Sequence, residues 1–236
     1  MIVSPKSVEV LNVLNEVSLK QGGHSSPDDG MCVMEAVAYI AGEPHSDHPA
    51  CASPVITSLA IALNDAMQSD AEREALKPVA FRIVGTRASG DVEFTRACRV
   101  VDWYVREVLP ENVQLLIDLG ADGMLPKSWT PIWREAVEPL RPWIETLRAL
   151  PAITDEVSAR SARGPVNDFY LAARAALDAL AALAARAALD ALDALAARAA
   201  LAALDARIEA FRQKRNASIV ALLLELCEIG RETTVA

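Results

Sequence analysis

The chain has 236 residues, of which 32 are acidic and 23 are Lys or Arg, so its formal net charge at pH 7 is −9. General nucleic-acid binders use an excess of Lys and Arg to displace counterions from phosphates, so nucleic-acid binding is not expected. No apolar run approaches the roughly 18 residues that span a bilayer, and residues 1–5 lack a secretory signal. We therefore expect a cytoplasmic protein with no membrane segment, whose cysteines stay reduced unless a metal holds some of them.

Start signals predict short helices in the first part of the chain. Ser4 with Pro5, and Ser53 with Pro54, each place a capping residue before a proline at the first helical position. Gly42 is expected to end the helix that precedes it. Six or seven such segments, with no alternating strand pattern, predict an all-α fold.

Prolines predict where the later helices end or bend. Pro78 should end or kink one helix, and Pro110 should follow the end of another. Pro139 and Pro142 should kink a third helix, which begins near residue 132.

Residues 174–209 are three units of twelve, RAALDALAALAA, RAALDALDALAA and RAALAALDARIE. Ala and Leu are strong helix formers, and a long helix is the default prediction. At about 100° per residue, the leucine pattern turns by about 120° from one unit to the next, so no single face stays apolar. The leucines then need neighbours on several sides, and we expect a protein partner or self-association through this helix. The alternative is a solvated helix, expanded by repeat slippage, with no partner.

These patterns predict three parts of the chain. Residues 1–160 form a helical core domain that contains the His/Cys stretch 22–54, and residues 161–215 form the repeat helix. Residues 216–236 form a C-terminal helix that folds back on the body, because the run 217–227 (ASIVALLLELC) is too apolar to stand alone in water.

The stretch 22–54 holds all three histidines and two of the four cysteines. In one interpretation it is a zinc site. His48 with Cys51, and His45 with His48, have the short separation that lets one loop supply two ligands, and His24 and Cys32 would complete the set. Zinc is the only cofactor that the sequence suggests.

A second interpretation is a small metal- or Cys-dependent hydrolase or transferase centred on residues 24–51. Cys32 would be the nucleophile, with a pKa lowered by its place at a helix N-terminus, and His24 or His48 would be its base, oriented by Asp47. Glu35 or Asp29 would transfer protons. In the metal-dependent form, His24, His48 and Cys51 would hold a zinc-bound water.

A third interpretation is structural. Asp28 or Asp29 caps a helix, prolines stiffen the connection, and Cys32 and Cys51 are small core residues. Caps and proline turns account for most of the polar residues in the stretch without any ligand.

The run GHSSPDDGMCVMEAVAYIAGEPHSDHPACASPVI, followed by LKP at residues 76–78 and IVGTR at residues 83–87, resembles a group of uncharacterised proteins of actinobacteria and their phages. The similarity covers about residues 18–150. Proteins of that group often end in Ala-rich tails that contain Trp, whereas this tail contains Leu. The resemblance implies the source and a shared N-terminal domain, and it implies no activity.

The leading hypothesis is a non-enzymatic helical protein that mediates protein contacts, with zinc as its candidate cofactor and the hydrolase or transferase as the alternative. The net charge alone would also fit an acidic phage protein that blocks a nucleic-acid-binding factor of the host.

Overall fold

A computed structural model describes residues 17–121, 123, 125, 129–189 and 194–231. The predicted all-α fold is confirmed: helices follow one another along these residues, and extended pairing among them is limited to an isolated bridge between Leu19 and Met31. None of the helices in the described ranges is long and apolar enough to cross a membrane. The predicted helix that starts at Ser4 falls largely outside the described residues.

The chain divides into two compact units, and the first combines Met1–Ala97 with Lys214–Ala236. Its described helices are α1 Val33–Ala41, α2 Pro54–Ala66, α3 Asp70–Arg73 and α4 Lys77–Ile83. It also contains the first part of α5 Gly90–Trp103 and the last part of α10 Ala194–Glu228. Helix α1 packs against α2 and α4.

Local signals explain where the helices of this unit begin and end. The Ser53 side chain accepts a hydrogen bond from the Ile56 N–H, which confirms the start predicted there. Helix α1 ends at Gly42, whose φ of 72° lies in the left-handed region that favours glycine. Pro78 lies in the first turn of α4, directly after a 3₁₀ turn, so the helical path is interrupted before it as predicted.

The second unit is Cys98–Gln213. The end of α5 leads into a π-helical segment, Tyr104–Val108, and then into further helices. These are α6 Leu109–Ala121, α7 Thr130–Val137, α8 Arg141–Arg148 and α9 Glu156–Leu189. Helix α6 packs against α7 and α8, and α9 packs against both as well. The buried apolar side chains of these helices form one continuous core.

The prolines of this unit have different effects. The predicted helix end at Pro110 is wrong, since helical backbone continues from Gly90 to Ala121. Pro110 lacks the N–H for a normal helical bond, and the wider π-helical turn directly before it accommodates its ring. The kink predicted at Pro139 and Pro142 is confirmed as a 3₁₀ turn, Glu138–Leu140, which separates α7 from α8.

The repeat continues into the C-terminal segment. The prediction of a separate final helix over 217–227 is wrong, since α10 runs unbroken from Ala194 to Glu228. Lys and Arg are good helix formers, and Asn216 alone does not end a helix. Residues 190–193 lie outside the described residues.

The expected boundaries 1–160, 161–215 and 216–236 divide the chain at other points than these units do. The first repeat unit belongs to the core of the second compact unit, through the buried Ala176. The apolar C-terminal run belongs to the first unit, where Leu223 and Leu226 are fully buried.

Candidate functional site

A buried carboxylate, Glu35, lies at the centre of the predicted site. It is in the first turn of α1, and its side chain is only 2% exposed. One oxygen accepts the His24 backbone N–H at 2.6 Å, and the other lies 2.8 Å from His24 Nδ1 and accepts the Cys32 N–H at 2.7 Å. His45 Nε2 is 3.5 Å from the first oxygen and 3.1 Å from the His24 carbonyl oxygen. The structure therefore brings His24, Cys32 and His45 together around Glu35.

These contacts determine the charge on Glu35. Burial alone would raise the pKa of its carboxyl group, but the hydrogen bonds from the backbone of His24 and Cys32, and from the His24 ring, stabilise the carboxylate. The net effect is a pKa below the ordinary value of 4.5. Glu35 is therefore ionised near neutral pH and acts as a hydrogen-bond acceptor.

Cys32 caps helix α1. Its Sγ accepts a hydrogen bond from the Glu35 N–H at 3.5 Å, while the Glu35 side chain accepts from the Cys32 N–H. This is the geometry of a capping box, with Cys in the place of Ser or Thr. The expectation of a lowered pKa at this helix N-terminus is wrong: burial, together with the nearby Glu35 carboxylate, raises the pKa of the Cys32 thiol to about 12.

The other three thiols are also stabilised in their protonated form. Burial is the main cause that raises the pKa of Cys51 and of Cys98, and it raises that of Cys227 to about 11. All four cysteines are free. None of them has the thiolate character of a reactive nucleophile.

The remaining predicted ligands have other partners. His48 Nδ1 lies 2.8 Å from Asp47 Oδ1, and the His48 side chain is 69% exposed. Cys51 is half-buried; its N–H donates to Glu43 at 2.8 Å, and its carbonyl oxygen accepts from the Arg87 N–H. Asp29 accepts a hydrogen bond from the Ser26 hydroxyl group.

These positions bear on the predicted zinc site. Within the described ranges, no group of three or more His, Cys, Asp and Glu side chains is arranged to hold a metal ion. The set of His24, Cys32, His48 and Cys51 as zinc ligands stays a prediction for metal analysis.

The pairing of His24 with Glu35 has the form in which a carboxylate orients an imidazole for proton transfer. The packing around the ring, however, is close. A Cβ added at Gly30 would lie 3.3 Å from His24 Nε2 and 2.7 Å from the Lys20 side chain. Gly30 has a φ of 123°, which favours glycine, so backbone covers this edge of the ring. The pair is therefore suited to fixing the loop.

Other acidic side chains hold the same connection in the same way. Glu43 accepts the Ala50 and Cys51 N–H groups, Asp65 accepts the Gly22 N–H, and Glu74 accepts the Leu19 N–H. Each carboxylate satisfies backbone donors that no helix or strand satisfies. Sequence reasoning missed this role, although the Cys32-x-x-Glu35 spacing of a capping box was a usable signal.

The sequence also gave no indication of the role of Arg96. It is 1% exposed, and it donates to the carbonyl oxygens of Leu226 at 3.1 Å, Ile229 at 2.7 Å and Thr86 at 2.6 Å. It also pairs with Glu93 at 3.0 Å. Its guanidinium group thus satisfies carbonyl groups at the C-terminal end of α10.

The repeat, predicted to bind a partner, has both buried and exposed apolar side chains in its described part. In the first unit Ala176 is 5% exposed and Leu180 packs against the core of the second compact unit, whereas Leu177 is 61% exposed. In the third unit Ile208 is 45% exposed. The repeat therefore contributes to the core and still presents apolar side chains outward.

The chain matches no protein-family model, no curated protein and no solved structure.

Proposed function

We propose that the protein is a non-enzymatic helical protein that associates with a second copy of itself through the repeat 174–209. The observation that carries the proposal is the exposure of large apolar side chains in two repeat units, with Leu177 at 61% and Ile208 at 45%. Leu177 lies in α9 and Ile208 in α10, and exposed apolar side chains of this size leave surface that a protein partner can cover.

The charge of the repeat favours a second copy as the partner. Residues 174–209 contain four arginines and five acidic residues, so their net charge is −1, whereas the whole chain has −9. Two acidic chains repel each other over most of their surfaces. The repeat intersperses charges of both signs, so two copies can pair opposite charges along it.

The twelve-residue period favours contact on more than one side. In the first unit Ala176 is buried and Leu180 packs against the core, whereas Leu177 between them is exposed, so one neighbour does not cover all the apolar side chains. The core of the second compact unit takes up the first two side chains. A second copy supplies a neighbour for others.

The polar stretch 22–54 supports the non-enzymatic part of the proposal. Glu35, His24 and Cys32 are engaged with one another, and the Cys32 thiol is protonated at neutral pH. We place the protein in the cytoplasm, where free thiols stay reduced, and we infer an actinobacterial or phage source from the resemblance of residues 18–150.

Sedimentation equilibrium of the full chain tests the proposal. We expect the wild type to form a dimer or larger assembly at micromolar concentration. The double substitution Leu177→Glu with Ile208→Glu should shift it to monomer, because each large apolar side chain contributes about 1.5–3 kcal/mol of burial, and the loss of both corresponds to at least about 100-fold in Kd.

Leu171→Glu is the matched control. Leu171 is on the same helix and is 57% exposed, but it lies outside the repeat. Its substitution should leave the assembly unchanged, with helix content verified by circular dichroism. A monomeric wild type, or equal dissociation of the control, would contradict the proposal.

A further inference from the structure

We propose that a cavity of about 350 Å³ between α6 and α9 binds a small, uncharged and mostly apolar molecule. The cavity lies within the second compact unit. Leu177, which is assigned above to self-association, also lines it, so the dependence of binding on protein concentration separates the two proposals. Its volume is within the range of about 300–1,000 Å³ that ligand pockets occupy. It has room for roughly a dozen water-sized groups.

The two walls are apolar stripes on single helix faces. Helix α6 presents Leu109, Val113 and Leu116 at positions i, i+4 and i+7, and α9 presents Val166, Phe169 and Ala173 at positions i, i+3 and i+7. Such spacing keeps side chains on one face of a helix. Because α6 and α9 both pack against α7 and α8, these two stripes form opposite sides of one space.

The cavity exists because small side chains follow large ones on α9. Ala173 and Ala176 line it one and two turns after Phe169. An alanine leaves unfilled the volume that a leucine would occupy at the same position, and the neighbouring backbone cannot close such a gap fully. The alanine-rich sequence, which in isolation indicates only helix, is therefore what opens the space.

The rim contains two tyrosines that the described residues leave partly uncovered. Tyr104 is 49% exposed and Tyr170 is 56% exposed, and both line the cavity. Tyr104 is also the first residue of the π-helical segment, and single π-helical turns inside α-helices are frequent at functional sites. A ligand that covers the two rings removes large apolar surfaces from water.

The chemistry of the lining determines the class of ligand. Among the described residues, the lining side chains carry no charge; their polar groups are the two tyrosine hydroxyls and the Asn112 amide. A charged ligand would lose its hydration here without gaining an opposite charge. The walls therefore favour a compact aromatic or branched aliphatic molecule, with a hydroxyl or amide group placed for the polar side chains.

The cavity has a built-in optical reporter. The Trp143 ring meets the Phe169 ring edge-on, with ring centroids 5.9 Å apart and an angle of 64° between the planes. Since Phe169 lines the cavity, an occupant lies close to Trp143. A fluorophore that absorbs where tryptophan emits should therefore quench the tryptophan signal by energy transfer.

Titration of the full chain with N-phenyl-1-naphthylamine, an uncharged apolar fluorophore, tests the proposal. We expect saturable binding of one molecule per chain, with quenching of tryptophan emission. Ala173→Phe fills the cavity and should weaken binding at least tenfold. Ala175→Phe, at an exposed position that does not line the cavity, is the matched control and should bind as the wild type does.

A second probe tests the predicted class of ligand. 8-Anilino-1-naphthalenesulfonate has the same aromatic core with a negative charge, and it should bind at least tenfold more weakly than the uncharged probe. If Ala173→Phe does not fold, as judged by circular dichroism, Leu116→Phe is a milder substitution that fills the same space from α6.

Four results would overturn the inference. They are binding that does not saturate, equal binding by the filled and control variants, equal affinity for the charged and uncharged probes, and binding that decreases as protein concentration rises. The last would mean that a second copy, and not a small molecule, occupies the cavity.

Discussion

Both compact units have a buried apolar core, but among the described residues the buried polar and charged side chains all belong to the first unit. Glu35 and Arg96, both about 1% exposed, are bonded to backbone groups of the first unit. The second unit is built around a continuous apolar cluster that includes the edge-on contact of Trp143 with Phe169.

Because of this difference, the residue types in each unit do not have the roles that their sequence pattern indicates. Histidine, cysteine and carboxylate residues in one stretch indicate chemistry, but in the first unit His24, Cys32 and Glu35 satisfy one another and fix a loop. The alanines and leucines of the second unit indicate only helix, yet their unequal sizes leave a cavity. Here the polar residues satisfy backbone groups, and the apolar residues form the surfaces that we propose to bind.

The largest expected effect is that of removing Arg96. Arg96→Met should lower the free energy of unfolding by about 3–5 kcal/mol, because it removes the buried hydrogen bonds to the carbonyl groups of Leu226 and Ile229 and removes a charge partner of Glu93. Urea unfolding followed by circular dichroism measures the loss. Amide hydrogen exchange should also become faster at the C-terminal end of α10.

Arg148→Met is the control for Arg96. Arg148 is 47% exposed and pairs with Glu145 at the surface, so its substitution should change stability by no more than about 0.5 kcal/mol. Equal urea midpoints for the two variants would show that the buried guanidinium group does not hold the end of α10.

A smaller and pH-dependent effect is expected at Glu35. Glu35→Gln removes the charge that accepts three hydrogen bonds and should cost about 2 kcal/mol near neutral pH. The pKa of Glu35 is lowered in the folded state, below the ordinary value of 4.5. Its contribution to stability is therefore present above that value and is lost as the pH falls through the folded-state pKa.

Urea unfolding of both proteins from about pH 5 to about pH 3 checks this sign. The difference in the free energy of unfolding between wild type and Glu35→Gln should become smaller as the pH falls. Glu145→Gln, at a side chain that is 83% exposed, should show no such change. A difference that widens toward acid pH would contradict the assignment of Glu35 as an ionised acceptor.

Local sequence signals were sufficient for much of the fold. The helix start at Ser53, the end at Gly42 and the kink at Pro139 and Pro142 follow from bonding and ring geometry within a few residues, and the structure confirms them. Pro110 shows the limit of that reasoning. Whether a proline ends a helix depends on the turn that precedes it, and a π-helical turn has no simple sequence signature.

The site was less predictable because its contacts join distant residues. Arg96 bonds to the Leu226 carbonyl group 130 positions away, and no local pattern specifies that partner. The grouping of His24 with Cys32 near Glu35 follows from one loop and one helix, so the sequence could indicate that they lie in one stretch. It could not indicate that burial, and not the helix terminus, would dominate the pKa of Cys32.

The smallest expected effect concerns Cys51, and it tests the predicted zinc site together with thiol reactivity. In the native protein near pH 7.5, iodoacetamide should label the half-buried Cys51 before the buried Cys32, and adding EDTA should leave the Cys51 rate unchanged. A thiolate bound to zinc is protected until the metal is removed. Cys51 contacts Glu43 and Arg87, away from the contacts of His24 and Cys32. We therefore expect that no zinc ion protects the Cys51 thiol from iodoacetamide. Faster labelling of Cys51 after EDTA, with zinc detected in the untreated protein, would show that the four predicted ligands converge on a metal ion. Rapid labelling of Cys32 would show that its thiol is ionised near pH 7.5, which contradicts the raised pKa that its burial causes.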